Sequence, residues 1–143
     1  MEIKYITLDD LLPLRMQILR PGKPREDAIY PGDDDGDTFH LGLYNDRDLV
    51  TIASFYKEDK EGYEGTGYRL RSMATLPEMQ SKGFGKKILE FAFNELENKG
   101  CSYLWCNART TASGYYEKLG FEIISDEFDI KDIGPHYVMK INL

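Results

Sequence analysis

The sequence predicts a mixed α/β fold in a single domain, residues 1–143. Three observations predict this fold class. Apolar and aromatic-rich strands alternate with segments of helical periodicity, and glycine or proline separates many of them. The 143 residues are enough for a full core, and 41% hydrophobic with 13% aromatic residues favours a globular fold over disorder. Apart from one acidic loop, the chain contains no repeat, linker or low-complexity stretch.

The first half is predicted to hold one helix and three strands. In order, the segments are a strand 3–8, a helix from Asp9 or Asp10 to about residue 19, an irregular stretch 21–37, a hairpin of strands 38–44 and 49–56, and a charged turn 58–67. The second half alternates strands and helices. Its segments are a strand 68–76 stopped by Pro77, a helix 87–96, a strand 102–107, a helix 112–119 capped by Thr110 or Thr111 and ended by Gly120, and strands 121–124 and 136–143.

The loop between strand 68–76 and the following helix is the most informative segment. Its sequence is Gln80-Ser81-Lys82-Gly83-Phe84-Gly85-Lys86. A loop in this position directs several unpaired backbone N–H groups toward one point, and that point lies at the positive end of the helix dipole. The two glycines let an anion approach the backbone closely. The loop lacks the residues of a Walker loop and has only the first half of a dinucleotide-binding fingerprint. It therefore predicts an anion site that fits a diphosphate.

A second motif follows the predicted helix 87–96 and strand 102–107, Ala112-Ser113-Gly114-Tyr115-Tyr116-Glu117-Lys118-Leu119-Gly120-Phe121. Gln-x-x-Gly-x-Gly after a strand, followed by Ala-x-x-x-Tyr-Glu-Lys-Leu-Gly-Phe, resembles the GCN5-related N-acetyltransferase (GNAT) superfamily, in a small bacterial-type branch. The resemblance is strong over residues 68–124. It implies a mostly antiparallel central sheet with a splayed parallel strand pair and helices on both faces. It also implies an N-acetyltransferase that uses acetyl-coenzyme A and a primary amine acceptor, either a small molecule or a peptide.

The resemblance implies a role for each part of this site. The loop would hold the pyrophosphate of acetyl-coenzyme A, and the residues concerned are Gln80, Ser81, Lys82, Gly83, Phe84, Gly85 and Lys86. Gln80 stands where the family often has arginine. The preceding strand, at Met73, Ala74 and Thr75, would pair with the pantetheine arm and polarise the thioester carbonyl. The acceptor would attack directly in a ternary complex. A non-catalytic acyl-coenzyme A sensor is the alternative.

Tyr116 matches the family's tyrosine that donates to the departing thiolate, and Tyr115 is the alternative. Full proton transfer from a free tyrosine to a thiolate is uphill by about 1.5 pKa units, roughly 2 kcal/mol. Tyr116 therefore needs a lowered pKa, or it mainly donates a hydrogen bond. His136 and His40 are the candidate general bases. A covalent route through Cys106 lacks an identifiable base.

Two positions near the second motif remain open. Arg109 stands where many family members have asparagine, and Asn107 is two residues away. Either Arg109 contacts a phosphate of the cofactor or Asn107 hydrogen-bonds the pantetheine amides. A solvated arginine at a strand end is the competing interpretation of Arg109.

Charge and composition limit the partners. A net charge of −7 argues against nucleic acid and favours a cationic acceptor. We expect no metal, because the acidic loop 33–37 lacks EF-hand spacing and is predicted to be solvated, as one lip of the acceptor pocket. We expect no membrane span or signal peptide, and the two cysteines, Cys101 and Cys106, are predicted to be reduced thiols of a cytoplasmic protein. Exposed strand edges are compatible with a homodimer.

Overall fold

Eight strands form one sheet in the computed structural model, which describes all residues 1–143. The strands are β1 Glu2–Ile6, β2 Phe39–Asn45, β3 Asp48–Lys57, β4 Gly67–Thr75, β5 Tyr103–Arg109, β6 Glu122–Ile123, β7 Phe128–Ile130 and β8 Gly134–Asn142. The helices are α1 Leu8–Leu19, α2 Phe84–Asn98 and α3 Ser113–Lys118, with short 3-10 helices at Arg25–Ala28, Pro77–Met79 and Thr110–Ala112. None of the helices is both long and apolar enough to cross a membrane.

The sheet is antiparallel except at one place. Its order is β1-β2-β3-β4-β5-β8-β6, and β7 also pairs with β8. The single parallel pair is β4 with β5. This topology confirms the predicted mixed α/β fold, with its mostly antiparallel sheet and one parallel pair.

The two long helices cover opposite faces of the sheet. On one face, α2 buries an apolar stripe at helical spacing, formed by Ile88, Leu89, Ala92 and Leu96. On the other face, Leu11 and Leu14 of α1 pack against β3 and β4. Adjacent residues of β3, Ile52 and Ala53, belong to these two different clusters, as the alternation of side chains along a strand requires. The predicted helices on both faces are confirmed.

β4 and β5 separate after three paired positions. Gly67–Arg69 pairs with Tyr103–Trp105, and beyond Arg69 the edge of β4 that faces β5 has no strand partner. β4 stays paired with β3 as far as Thr75, while β5 stays paired with β8 as far as Arg109. A register shift in the pairing of β4 with β3 places Ser72 in the left-handed region at φ 60°. The result is the predicted splay, a gap between two strands that are each held on their outer side.

Both long helices begin earlier than predicted. The Thr7 hydroxyl accepts a hydrogen bond from the backbone N–H of Asp10, and the Asp10 carboxylate accepts one from the Thr7 N–H. This capping box starts α1 at Leu8, so neither Asp9 nor Asp10 is the cap. α2 starts at Phe84 because Gly83, at φ 80°, turns the loop directly into the helix.

Three further details of the second half differ from the prediction. Neither Thr110 nor Thr111 caps α3 with its side chain, because this segment forms a 3-10 turn in which the Ser113 hydroxyl donates to the Thr110 carbonyl at 2.8 Å. The predicted strand 121–124 is reduced to β6. β7, which was not predicted, is a three-residue strand that forms a hairpin with the start of β8. Gly120 ends the α3 segment at φ 102°, as predicted.

Candidate active site

Two cavities meet at the gap between β4 and β5. The first, which we call the loop cavity, has a volume of about 470 Å³ and is lined by the end of β4 and the loop before α2. The second, which we call the arginine cavity, has a volume of about 490 Å³ and is lined by four arginines among other residues. The residues that line both are Ile18, Leu19, Met73, Ala112 and Tyr116. A ligand in one cavity therefore approaches a ligand in the other at Met73 and Tyr116.

The loop cavity contains most of the residues predicted to bind the cofactor, both from the end of β4 and from the loop before α2. Those that line it are Met73, Ala74, Thr75, Gln80, Ser81, Gly83, Phe84 and Gly85. The backbone N–H groups of residues 81–86 donate no hydrogen bond within the chain, and no acidic residue lies in the first turn of α2. Lys82 and Lys86 are exposed and line neither cavity. The cavity thus combines free donors with the positive end of a helix dipole, as an anion requires.

Gly85 is packed too tightly for a side chain. A Cβ at this position would lie 2.5 Å from the hydroxyl oxygen of Tyr115 and 3.6 Å from the Cε of Met73. The Gln80 side-chain amide donates to the Thr75 carbonyl at 3.2 Å, which ties the loop to the end of β4. Any side chain at Gly85 would move residues that form the wall of the loop cavity.

Tyr116 lies where the two cavities join. Its ring packs edge-on against Phe121, with centroids 5.4 Å apart, and its hydroxyl has no hydrogen-bond partner in the protein. Burial raises the pKa of Tyr116 well above its usual value. The structure therefore does not provide the lowered pKa considered above and favours a protonated hydroxyl that donates a hydrogen bond. Tyr115 is 42% exposed and lines only the loop cavity.

The comparison with known proteins agrees with this geometry. A family model described as an acetyltransferase (GNAT) domain matches residues 36–123, which is more than half of the chain. The chain belongs to the GNAT acetyltransferase family. GNAT acetyltransferases use acetyl-coenzyme A, and the loop cavity offers the donors that its diphosphate requires.

Relatives of the acetyltransferase span nearly its whole length. It is 39% identical over 140 residues to the Bacillus subtilis (strain 168) protein named Uncharacterized N-acetyltransferase YitI, covering 97% of this chain and 94% of that protein. Its fold is similar to that of Escherichia coli ElaA, with a TM-score of 0.80 at 16% identity and 98% of both chains covered. An aminoglycoside 6'-N-acetyltransferase complexed with coenzyme A aligns with a TM-score of 0.74 at 14% identity, over 99% of this chain and 97% of that chain.

The two histidines of the acetyltransferase have different surroundings. His136 lines the arginine cavity, and its Nδ1 donates to the Gly134 carbonyl at 2.8 Å, which leaves Nε2 with a free lone pair. His40 is buried with both ring nitrogens bound, Nδ1 to the Ser54 hydroxyl at 2.7 Å and Nε2 to the Asp33 carbonyl at 3.1 Å. Burial lowers the pKa of His40. Of the two candidate bases, only His136 faces a cavity.

Four β5 residues line the arginine cavity: Cys106, Asn107, Ala108 and Arg109. Burial raises the pKa of the Cys106 thiol to about 12, so it is protonated at neutral pH and is not an activated nucleophile. Both cysteines are free thiols. Asn107 and Arg109 line the arginine cavity and do not line the loop cavity.

The acidic loop 33–37 was predicted to be solvated, but one of its residues is buried. Asp33 is buried and accepts hydrogen bonds from the Arg15 guanidinium at 2.7 Å, from the Tyr56 hydroxyl and from the Tyr30 backbone at 2.6 Å. Burial alone would raise the pKa of Asp33, but these donors outweigh it and hold the pKa below its usual value. No group of three or more metal-ligating side chains occurs in the structure. Asp33 therefore anchors the loop after α1 to the sheet.

Arg69 and Arg71, two of the four arginines that give the arginine cavity its charge, were not predicted as site residues. Arg69 and Arg71 lie on β4 and, with Arg20 and Tyr30 from the α1 end and the following loop, line this cavity. A signal was present. The pattern Arg-Leu-Arg places both arginines on one face of a strand. This strand lies between two other strands, where a charged side chain that becomes buried needs a polar or charged partner.

Proposed function

We propose that the protein transfers an acetyl group from acetyl-coenzyme A to a primary amine by direct attack within a ternary complex. One observation carries this proposal. The loop cavity and the arginine cavity open toward each other across the gap between β4 and β5, and Met73 and Tyr116 line both. A donor in one cavity and an acceptor in the other would meet without leaving the protein.

The loop cavity is the proposed cofactor site. Free backbone N–H groups of residues 81–86 would bind the diphosphate, supported by the helix dipole and by the nearby charges of Lys82 and Lys86. The unpaired edge of β4 at Met73, Ala74 and Thr75 would bind the pantetheine amides as an added strand does. Backbone groups of this edge would also polarise the thioester carbonyl.

The proposed reaction needs one base and one donor. The amine nitrogen bonds to the acetyl carbon, the carbon–sulfur bond breaks, and its electron pair stays on sulfur. Nε2 of His136 would accept the proton that the amine loses. The Tyr116 hydroxyl would donate a hydrogen bond to the thiolate. The protonated, buried thiol of Cys106 supports this direct route over a covalent acetyl-cysteine.

An acyl-coenzyme A sensor without catalysis is less well supported. A sensor needs only the loop cavity. The presence of a second cavity of similar volume, with a histidine whose Nε2 is free, favours an enzyme with an acceptor site.

The first test is the thermal unfolding midpoint as a function of acetyl-coenzyme A concentration. A ligand at about a hundred times its dissociation constant stabilises the native state by roughly 2.7 kcal/mol, which gives a clear rise in Tm. Gly85→Glu should abolish the rise, because the side chain would occupy the wall of the loop cavity. Gly114→Glu is the matched control, since it adds the same charge in a helix where a Cβ meets nothing within 4 Å.

Three outcomes would contradict the proposal. Absence of a rise in the wild type would remove acetyl-coenzyme A as the cofactor. A rise that persists in Gly85→Glu would move the cofactor away from the loop cavity. A rise without release of coenzyme A thiol in the presence of any amine of a broad panel would favour the sensor.

A further inference from the structure

The arginine cavity carries a charge opposite to that of the whole protein. The net charge of the chain is −7, yet four arginines and no aspartate or glutamate line this cavity. The arginines come from separate parts of the fold: Arg20 from the end of α1, Arg69 and Arg71 from β4, and Arg109 from the end of β5. Their convergence on one cavity is a product of the tertiary structure.

Most of this positive charge is not neutralised by the protein. Arg69 lies 3.6 Å from a carboxylate oxygen of Glu58. Arg20, Arg71 and Arg109 form no ion pair within 4 Å of a carboxylate. Burial lowers the pKa of Arg69, repulsion by the charge of Arg71 lowers it further, and Glu58 offsets part of this effect. A bound anion would relieve this repulsion.

Aromatic stacking holds Arg71 and Arg20 together. The guanidinium of Arg71 lies 4.5 Å from the centroid of the Tyr30 ring, and that of Arg20 lies 5.3 Å from the same centroid. A stacked guanidinium keeps its N–H groups free in the plane of the group, where they can bind an oxyanion through two parallel hydrogen bonds. Arg71 thus presents oriented donors without a partner, and Arg20 presents those that its hydrogen bond to the Leu19 carbonyl, at 2.8 Å, leaves free.

Two other polar atoms in this region also lack partners. The Nε of Arg69 and the hydroxyl of Ser72 are buried and form no hydrogen bond in the protein. Buried polar atoms nearly always have a hydrogen-bond partner, so two such atoms without a partner in the wall of a cavity indicate a missing ligand. Ser72 is the left-handed residue of β4, beside the gap where the acetyl group would be transferred.

The acidic residues on the other side of Arg71 do not replace such a ligand. A neighbouring cavity, which Arg71 also lines, contains Asp35, Asp37 and Glu58. Glu58 pairs with Arg69, and Asp37 lies 3.9 Å from the Nζ of Lys57. None of the three lines the arginine cavity itself.

We propose that the acceptor is an amine that also carries an oxyanion, a carboxylate or a phosphate, and that Arg71 and Arg20 bind this oxyanion while the amine lies at the gap beside His136. The inference rests on the proposed acetyl transfer. The apolar walls formed by Ile18, Leu19, Ile130 and Ile133 accommodate the rest of such a molecule, and about 490 Å³ is ample for one of amino-acid size.

Matched amines test the inference. L-Leucine and L-leucinamide differ in the carboxylate, and O-phosphoethanolamine and ethanolamine differ in the phosphate. With acetyl-coenzyme A, thiol release should show a kcat/KM about 10–100-fold higher for the oxyanion in one or both pairs, as expected for charge-assisted hydrogen bonds. The pair that shows the preference identifies the oxyanion. The amine of leucinamide is less basic than that of leucine, so a larger fraction of it is unprotonated and reactive. This difference favours leucinamide, which is opposite to the preference that we expect.

Variants tie the preference to the cavity. Arg71→Gln should abolish the preference, because it should lower kcat/KM for the oxyanion amine at least tenfold more than kcat/KM for its neutral partner. Arg71→Lys, which keeps the charge but not the paired donors, should retain part of the preference. Arg47→Gln, in the exposed turn between β2 and β3, is the matched control. The rise in Tm with acetyl-coenzyme A should be the same in all of these proteins.

The outcomes separate this inference from the proposed function. Absence of both the Tm rise and acetyl transfer would contradict the proposed function itself. A Tm rise with equal or faster transfer to the neutral amines would overturn only the oxyanion inference. Where neither member of a pair is acetylated, Tm in the presence of coenzyme A decides: an added rise with the oxyanion amine supports the inference, and no added rise overturns it.

Discussion

Replacing Tyr116 by phenylalanine removes one hydroxyl that the rest of the protein does not use. The hydroxyl has no hydrogen-bond partner, so its loss leaves no donor or acceptor unpaired. The ring of the variant would keep its edge-on contact with Phe121. We therefore expect the free energy of unfolding to change by less than about 0.5 kcal/mol.

The effect on catalysis should be far larger. A donor placed where negative charge develops contributes about 10²–10³ in kcat, which is about 2.7–4 kcal/mol. Full proton transfer to the thiolate is uphill by roughly 2 kcal/mol for an ordinary tyrosine, and burial, which raises the pKa of Tyr116, makes it more unfavourable. The expected loss is therefore that of a hydrogen bond to sulfur, and kcat should fall about 10²–10³-fold.

The assay is the initial rate of thiol release at saturating acetyl-coenzyme A, with the rise in Tm as a separate measure of cofactor binding. Tyr115→Phe is the matched control, because Tyr115 is the adjacent tyrosine and lines only the loop cavity. Tyr116→Phe should bind the cofactor normally and turn over slowly, whereas Tyr115→Phe should keep most of its kcat. A Tyr116→Phe enzyme with nearly full kcat, or an equal loss in both variants, would refute the assignment.

Three further predictions concern other groups. His136→Gln should lower kcat by about 10²–10⁴, and a kcat close to that of the wild type would mean that another group is the base. Cys106→Ala should leave kcat within about threefold of wild type, because a protonated thiol is not a nucleophile, and mass spectrometry should detect no acetyl-enzyme in the wild type. Asp33→Asn should cost about 3–5 kcal/mol in chemical denaturation, since it leaves the buried Arg15 without its partner. Because the folded pKa of Asp33 is depressed, its stabilisation is present above the unfolded pKa of about 3.9 and is lost as pH falls toward the folded value, so the acid side of the stability profile should flatten in the variant.

Local patterns in the sequence accounted for much of the fold and for one half of the site. The free backbone N–H groups of the loop from Gln80 to Lys86 could be predicted, because the glycine spacing between a strand and a helix determines which backbone N–H groups remain unpaired. Tyr116 was identified through the Ala-x-x-x-Tyr motif, and in the structure it lines the same cavity as this loop. The predicted helix starts were less accurate. In the structure a capping box at Thr7 and the left-handed Gly83 set these starts, but the sequence offers equally plausible starts at neighbouring residues.

The acceptor side could not be predicted in the same way. The net charge favoured a cationic acceptor, but net charge is a sum over the whole surface, whereas a substrate responds to the few groups that line its cavity. Those groups include Arg20, Arg71 and Arg109, which lie far apart in the chain and converge only when the sheet splays. The burial of Asp33 likewise depends on Arg15, eighteen residues earlier, reaching it through the core.

What the sequence determined by itself is therefore the fold class, the order of most strands and helices and the loop with free backbone N–H groups, because each depends on residues close together in the chain. What only the tertiary structure decided is which side chains line the arginine cavity. Long-range contacts place Tyr116 between two cavities, leave His136 facing one of them and bind both nitrogens of His40 elsewhere. The reason is physical: backbone geometry is set mainly by neighbours in the chain, whereas the charge and shape of a cavity are set by neighbours in space.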